Sequence, residues 1–98
     1  MSPSNFSLSP DALNDLDEIW LFIAKDSIEA AERNEDDLQS AMRRLARNPG
    51  MGHSRPDITD QPVAFWPSGS YLIVYETEST PLHIVRVLHG ARDASSLL

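Results

Sequence analysis

Ninety-eight residues, a formal net charge of −7 and no cysteine bound the chain to one small domain, residues 1–98. The missing thiols exclude disulfides, thiolate metal sites and a cysteine nucleophile, and they fit a reducing compartment. The start, MSPSNFSLSPDAL, lacks a basic n-region, and no stretch approaches the roughly 20 apolar residues of a membrane span, so a cytoplasmic protein without a membrane partner is expected.

"NFSL", residues 5–8, reads as a short first strand. A helix follows, with Ser9 as N-cap, Pro10 at the first helical position and Asp11 in the first turn, where the dipole favours an acid. Its apolar face comprises Ala12, Leu13, Leu16, Ile19, Trp20 and Ile23, with Asp15, Glu18 and Lys25 pointing elsewhere and Phe22 part-exposed. "KDS" at 25–27 breaks this helix, and Asp26 or Ser27 caps a second one. The second face carries Ala31, Leu38, Ala41, Met42 and Leu45, interrupted by Asn34. Arg43, Arg44 and Arg47 crowd the last two turns, where cations complement the helix dipole. Two helices joined by so tight a break form an antiparallel hairpin.

"NPGMGHSRPD", residues 48–57, ends the second helix. Asn48 and Pro49 stop it, Gly50 and Gly52 permit turns, and Pro56 stiffens the exit, so the segment is first an architectural elbow. Arg55 either pairs with an acid or faces a groove. The period then changes. "PVAFW" (62–66), "SYLIVYE" (70–76) and "LHIVRVLH" (82–89) are strand-like runs separated by short turns, and they form an antiparallel meander. The chain is therefore a two-layer α+β domain of order β-α-α-β-β-β, its helix hairpin packed on one face of a small, mostly antiparallel sheet. In the middle strand Tyr71, Ile73 and Tyr75 share one face and Leu72 and Val74 the other. A hairpin covers only one face. The second is either a docking groove or is covered by the tail or by the 49–61 loop.

Charge narrows the partners. Residues 1–37 hold ten acids and two bases, whereas residues 38–98 hold five acids and six bases. The first half repels phosphates, so the chain is not expected to bind nucleic acid by itself. His53, His83 and His89 show no paired metal-ligand spacing, and no glycine-rich phosphate loop precedes a helix, so neither a metal nor a cofactor is expected. Nuclease chemistry would need a base, a cation and an acid from His89, Arg86, His53, Arg55 and Tyr71. Arg86 and His89 lie three apart on one strand, which strict alternation places on opposite faces, and the chain has a single lysine, Lys25. No catalytic residue is assigned. Arg86 and Arg92 serve either as anchors for partner carboxylates or as structural ion pairs, and Leu97 and Leu98 are either tail packing or contacts to a target.

"LSPDALNDLDEIWLFIAKDS", "NPGMGHSRPD", "GSYLIVYE" and "IVRVLHGARD", in this order, resemble the ParE branch of the ParE/RelE superfamily of bacterial toxin–antitoxin systems. The resemblance implies a type II toxin that inhibits DNA gyrase and is neutralised, in a hetero-oligomer, by a cognate ParD-like antitoxin. The antitoxin- or target-binding set is then Arg55, Tyr71, Tyr75, Arg86, His89, Arg92, Leu97 and Leu98. The alternatives are a RelE-like ribosome-dependent messenger-RNA endonuclease and an inert antitoxin-binding member. Two positions depart from the family pattern. Ser70 stands where an arginine is usual after the strand glycine, and Asn34 and Glu35 stand where the second helix usually carries apolar or aromatic residues.

Overall fold

The computed structural model describes residues 5–90. The elements run β1 (Phe6–Leu8), α1 (Pro10–Ala24), α2 (Ile28–Arg47), a 3-10 turn (Pro49–Met51), β2 (Val63–Ser68), β3 (Tyr71–Glu76) and β4 (Leu82–Leu88). The expected order of elements is therefore the observed one. Both helices start on serine caps. Ser9 Oγ accepts from the Ala12 N–H at 3.0 Å, and Ser27 Oγ accepts from the Ala30 N–H at 3.0 Å. Of the two candidate caps for α2, Ser27 is the one used.

The sheet order is β1-β4-β3-β2. β2 to β4 form the antiparallel meander, and β1 closes the far side parallel to β4, with Leu8 opposite Ile84. The β2–β3 hairpin turns on Gly69 and Ser70, and Gly69 adopts φ +60°, a conformation that costs glycine nothing. A bulge between Val74 and Tyr75 shifts the β3–β4 register. Val74 faces Arg86 while Tyr75 faces Ile84, which leaves Val85 as the extra residue of β4.

The main core lies between the hairpin and one sheet face. It joins Ala12 of α1 and Leu38, Ala41, Met42 and Leu45 of α2 to Tyr71, Ile73, Tyr75, Ile84 and Val87. The division of β3 into two faces holds, because Val74 and the half-buried Leu72 belong to a separate cluster with Val63, Phe65 and Leu88. Ile58, from the loop before β2, packs on that second cluster. Of the two readings of the second face, the covering loop is the one seen, and Phe65 and Val74 are 2% and 0% exposed.

Two expectations for α1 are corrected. Leu13 is 51% exposed, and Trp20 is not among the residues packed on the core. Asp15, expected to point to solvent, is buried at 8% exposure. The reason is the same for all three. α1 runs along the β4 edge as well as over the sheet face, so the buried arc of the helix is rotated toward Ala12, Asp15, Leu16, Ile19 and Ile23.

Candidate functional site

β1 is three residues long and β4 is seven, so part of the β4 edge has no strand beside it. α1 supplies the missing partners. The Ser9 N–H donates to Ile84 O at 2.9 Å, and Ser9 Oγ donates to Val85 O at 2.8 Å. Nearly two turns further on, Asp15 Oδ2 accepts from the Val87 N–H at 2.9 Å. The same carboxylate is held by Arg86 through two bonds, Nε to Oδ2 at 2.8 Å and Nη2 to Oδ1 at 2.9 Å. A bidentate arginine and a backbone amide on one part-buried carboxylate form a charge-assisted cluster. It fixes α1 against β4, and it commits the Arg86 guanidinium to an acid of its own chain.

Beyond Val87 the chain brings His89 back over the main-core side. Its ring meets Tyr71 edge-on, with centroids 5.3 Å apart and planes at 89°. Tyr71 and His89 line a cleft together with Asp15, Glu18 and Phe22. Of the expected binding set, the structure thus brings Tyr71, His89 and Arg86 around α1, with Asp15 between them. Tyr75 lies elsewhere. It is fully buried, and its hydroxyl donates to Pro49 O at 2.6 Å and accepts from the Gly52 N–H at 2.9 Å. Burial raises its pKa above the ordinary 10.0, with the Gly52 bond acting in the opposite direction. Tyr75 is therefore the lock of the elbow, and a Cβ on Gly52 would collide with its ring and hydroxyl. Arg55 is in the exposed loop, where Nε and Nη2 grip Asp57 at 3.0 and 2.9 Å. Its hydrogen bond holds the Asp57 carboxyl below its ordinary value. Arg92, Leu97 and Leu98 lie outside the described residues. Among the described residues no group of three or more histidine, aspartate or glutamate side chains is placed to hold a metal ion.

A second surface lies on the outer side of the helix hairpin. Leu16, Asp17, Trp20 and Leu21 of α1 and Glu32 and Glu35 of α2 line a shallow groove there. Leu21 is 61% exposed, and Ile28 at the start of α2 is 59% exposed. Leu13 and Trp20, expected in the core, lie outside it, and Trp20 lines this groove. The missed signal is that α1 carries more large apolar residues than one face accommodates, since Leu21 and Phe22 stand beside the stripe.

A model of the ParE toxin family, of the type II toxin-antitoxin system parDE, matches residues 6–94. The chain belongs to the ParE toxin family. A solved structure described as "Chromosomal ParDE TA system from P. aeruginosa" contains a chain with the same fold, at TM-score 0.72 and 17% identity, covering 91% of this chain and 99% of that one. No curated protein sequence matches. The family's two departures in this member fall at defined places. Ser70 is exposed in the β2–β3 turn. Asn34 is half-buried on α2, and Glu35 lines the outer groove of the hairpin. No helix among the described residues is long and apolar enough to cross a membrane.

Proposed function

We propose that this ParE-family chain poisons its target by binding rather than by turnover. The target is DNA gyrase, and a ParD-like antitoxin neutralises the chain in a hetero-oligomer. The family match across residues 6–94 carries this reading. The state of Arg86 supports binding over nuclease chemistry. An arginine that is to hold a scissile phosphate must present its fork to the substrate, and this one is closed on Asp15. The edge-on contact of Tyr71 and His89 is the feature a RelE-like endonuclease would build on. Its surroundings favour a cation over a phosphate, because Asp15 and Glu18 line the same cleft.

The test is growth on induction, alone and with the protein encoded by the adjacent open reading frame. Arrest on induction and rescue by the neighbour are expected. Normal growth at full, folded expression would contradict the toxin reading and leave the inert, antitoxin-binding alternative. Intact messenger RNA on programmed ribosomes is expected in parallel. A-site cuts that vanish on His89→Ala would replace gyrase inhibition by nuclease action.

A further inference from the structure

The face of α2 that points away from the core changes sign along its length. Glu29, Glu32, Asp36 and Asp37 stand in its first half, and Arg43, Arg44 and Arg47 in its last turns. At the helical advance per residue the three arginines fall within an arc of about 100°, opposite the buried Leu38, Ala41, Met42 and Leu45. All three are exposed, and none has an ion-pair partner among the described residues. The reason is visible in the sequence. Gln39 and Ser40 stand one turn before Arg43 and Arg44, where a helix that paired its own charges would carry acids. No acid occurs between Asp37 and Asp57, and Asp57 is held by Arg55. Cations at a helix end complement the dipole, but that end carries only about half a negative charge against three guanidiniums. The surplus is a cationic patch on a chain of net charge −7.

The chemistry of the patch favours phosphate over protein. A protein partner is held mainly by buried apolar anchors, and the exposed large apolar residues, Leu13, Leu21, Phe22 and Ile28, all lie on α1 or at the start of α2. A second copy laid antiparallel on α2 would match acids to arginines, yet surface ion pairs alone would have to hold it. Phosphates need no apolar anchor, and the guanidinium fork fits them. Arg43 and Arg47 rise about 6 Å apart on the helix, comparable with neighbouring phosphates on one strand. The acidic first half of the same face keeps a strand from lying along α2, so the nucleic acid crosses the helix end. Three contacts on so acidic a chain do not recruit DNA unaided; they act once a protein contact has placed the chain beside the duplex. We propose that Arg43, Arg44 and Arg47 grip the phosphate backbone of DNA that the target enzyme already holds. This rests on the gyrase reading above and adds which component of the gyrase–DNA complex the end of α2 meets.

The experiment compares the wild-type chain with Arg43→Gln/Arg44→Gln/Arg47→Gln and Arg43→Lys/Arg44→Lys/Arg47→Lys. Binding is read by anisotropy of the labelled chain with gyrase alone and with gyrase on a duplex fragment, from about 50 to 200 mM salt, with thermal melts of each variant. The three positions are exposed, so every variant is expected to melt near the wild-type temperature. The wild type is expected to bind the DNA-bound enzyme more tightly than the free enzyme. The glutamine protein is expected to lose roughly tenfold or more on the DNA-bound enzyme at low salt and nothing on the free enzyme. For three phosphates the wild-type affinity should fall with salt more steeply than that of the glutamine protein, by about 2.7 in the log–log slope, and the lysine protein should keep the wild-type slope. Equal affinity and equal slope for the wild-type and glutamine proteins on the DNA-bound enzyme would overturn the proposal and leave the gyrase reading standing. Absence of wild-type binding to either form of the enzyme would overturn both. A glutamine protein that loses the free enzyme, or the protein encoded by the adjacent open reading frame, would give the arginines to an acidic protein surface. A wild-type dimer at low salt that the glutamine substitutions abolish would give them to a second copy. Either result overturns the proposal.

Discussion

At the scale of single residues, two side chains hold parts of the chain that are distant in sequence. Asp15 is the larger. Asp15→Ala strips Arg86 and the Val87 N–H of their partner at once, and should cost about 2–4 kcal/mol, below the full figure for a buried pair because Arg86 is partly exposed. In a domain of this size that is a fall in Tm of roughly 10–20 °C, measured by thermal denaturation. Asp15→Asn keeps the shape and one acceptor and should fall between. A Tm unchanged by Asp15→Ala would show that the carboxylate contributes nothing net. Tyr75 is the second. Tyr75→Phe leaves Pro49 O and the Gly52 N–H unpaired and should cost about 1–3 kcal/mol. The wild-type hydroxyl has a pKa above 10.0 when folded. The unfolded chain therefore releases this proton first, so the contribution of Tyr75 to stability is constant below about pH 10 and is lost as pH rises above it. The Tyr75→Phe protein should lose that part of the alkaline decline, and urea midpoints measured from pH 8 to 11 would show whether it does.

At the scale of elements, the sheet is sealed along its edges by parts that are not strands. β4 is capped by Ser9 and Asp15 of α1. β2 is capped by an isolated bridge, in which the His53 N–H donates to Phe65 O at 2.9 Å and the Phe65 N–H to His53 O at 2.8 Å, while Pro67 offers no donor. Ser9→Ala should therefore cost about 1–2 kcal/mol, since it removes a helix cap and the bond to Val85 O together. Amide exchange should find Phe65 protected although it lies on an outer strand. Fast exchange there would contradict the bridge. The sequence made these elements legible because their signals are local. Ser9-Pro10 and Ser27 start the helices, Asn48-Pro49 ends the second, and alternation in "SYLIVYE" sorts the two faces of β3. The edge contacts were not legible. Asp15 lies nearly two turns after a cap, in a run with three other acids, and nothing local separates it from Asp11, Asp17 or Glu18. Its partner is 71 residues away, and the pairing follows only from the shortness of β1 and the bulge at Val85. The groove was hidden for a related reason, since a helix lying along an edge turns its buried arc away from the widest apolar stripe.

At the scale of the whole molecule, charge and binding surface are segregated. The acidic half forms β1, α1 and the first half of α2, while the near-neutral half holds the rest of α2 and strands β2 to β4. If the proposed target is gyrase, contact with a gyrase–DNA complex must then use protein surface or the near-neutral half, because the acidic hairpin disfavours DNA. Removing residues 91–98, which hold Arg92, Leu97 and Leu98, should weaken toxicity while leaving a folded chain that still binds its antitoxin. Loss of folding and of both activities together would make that segment structural. The central claim is action by stoichiometric binding. It is tested most directly by titrating the purified chain into a gyrase supercoiling reaction. The account predicts inhibition that saturates near one chain per gyrase subunit, does not deepen with longer incubation, and is relieved by adding the antitoxin. Full supercoiling in the presence of excess folded chain would contradict it, as would loss of activity that grows with time at substoichiometric amounts.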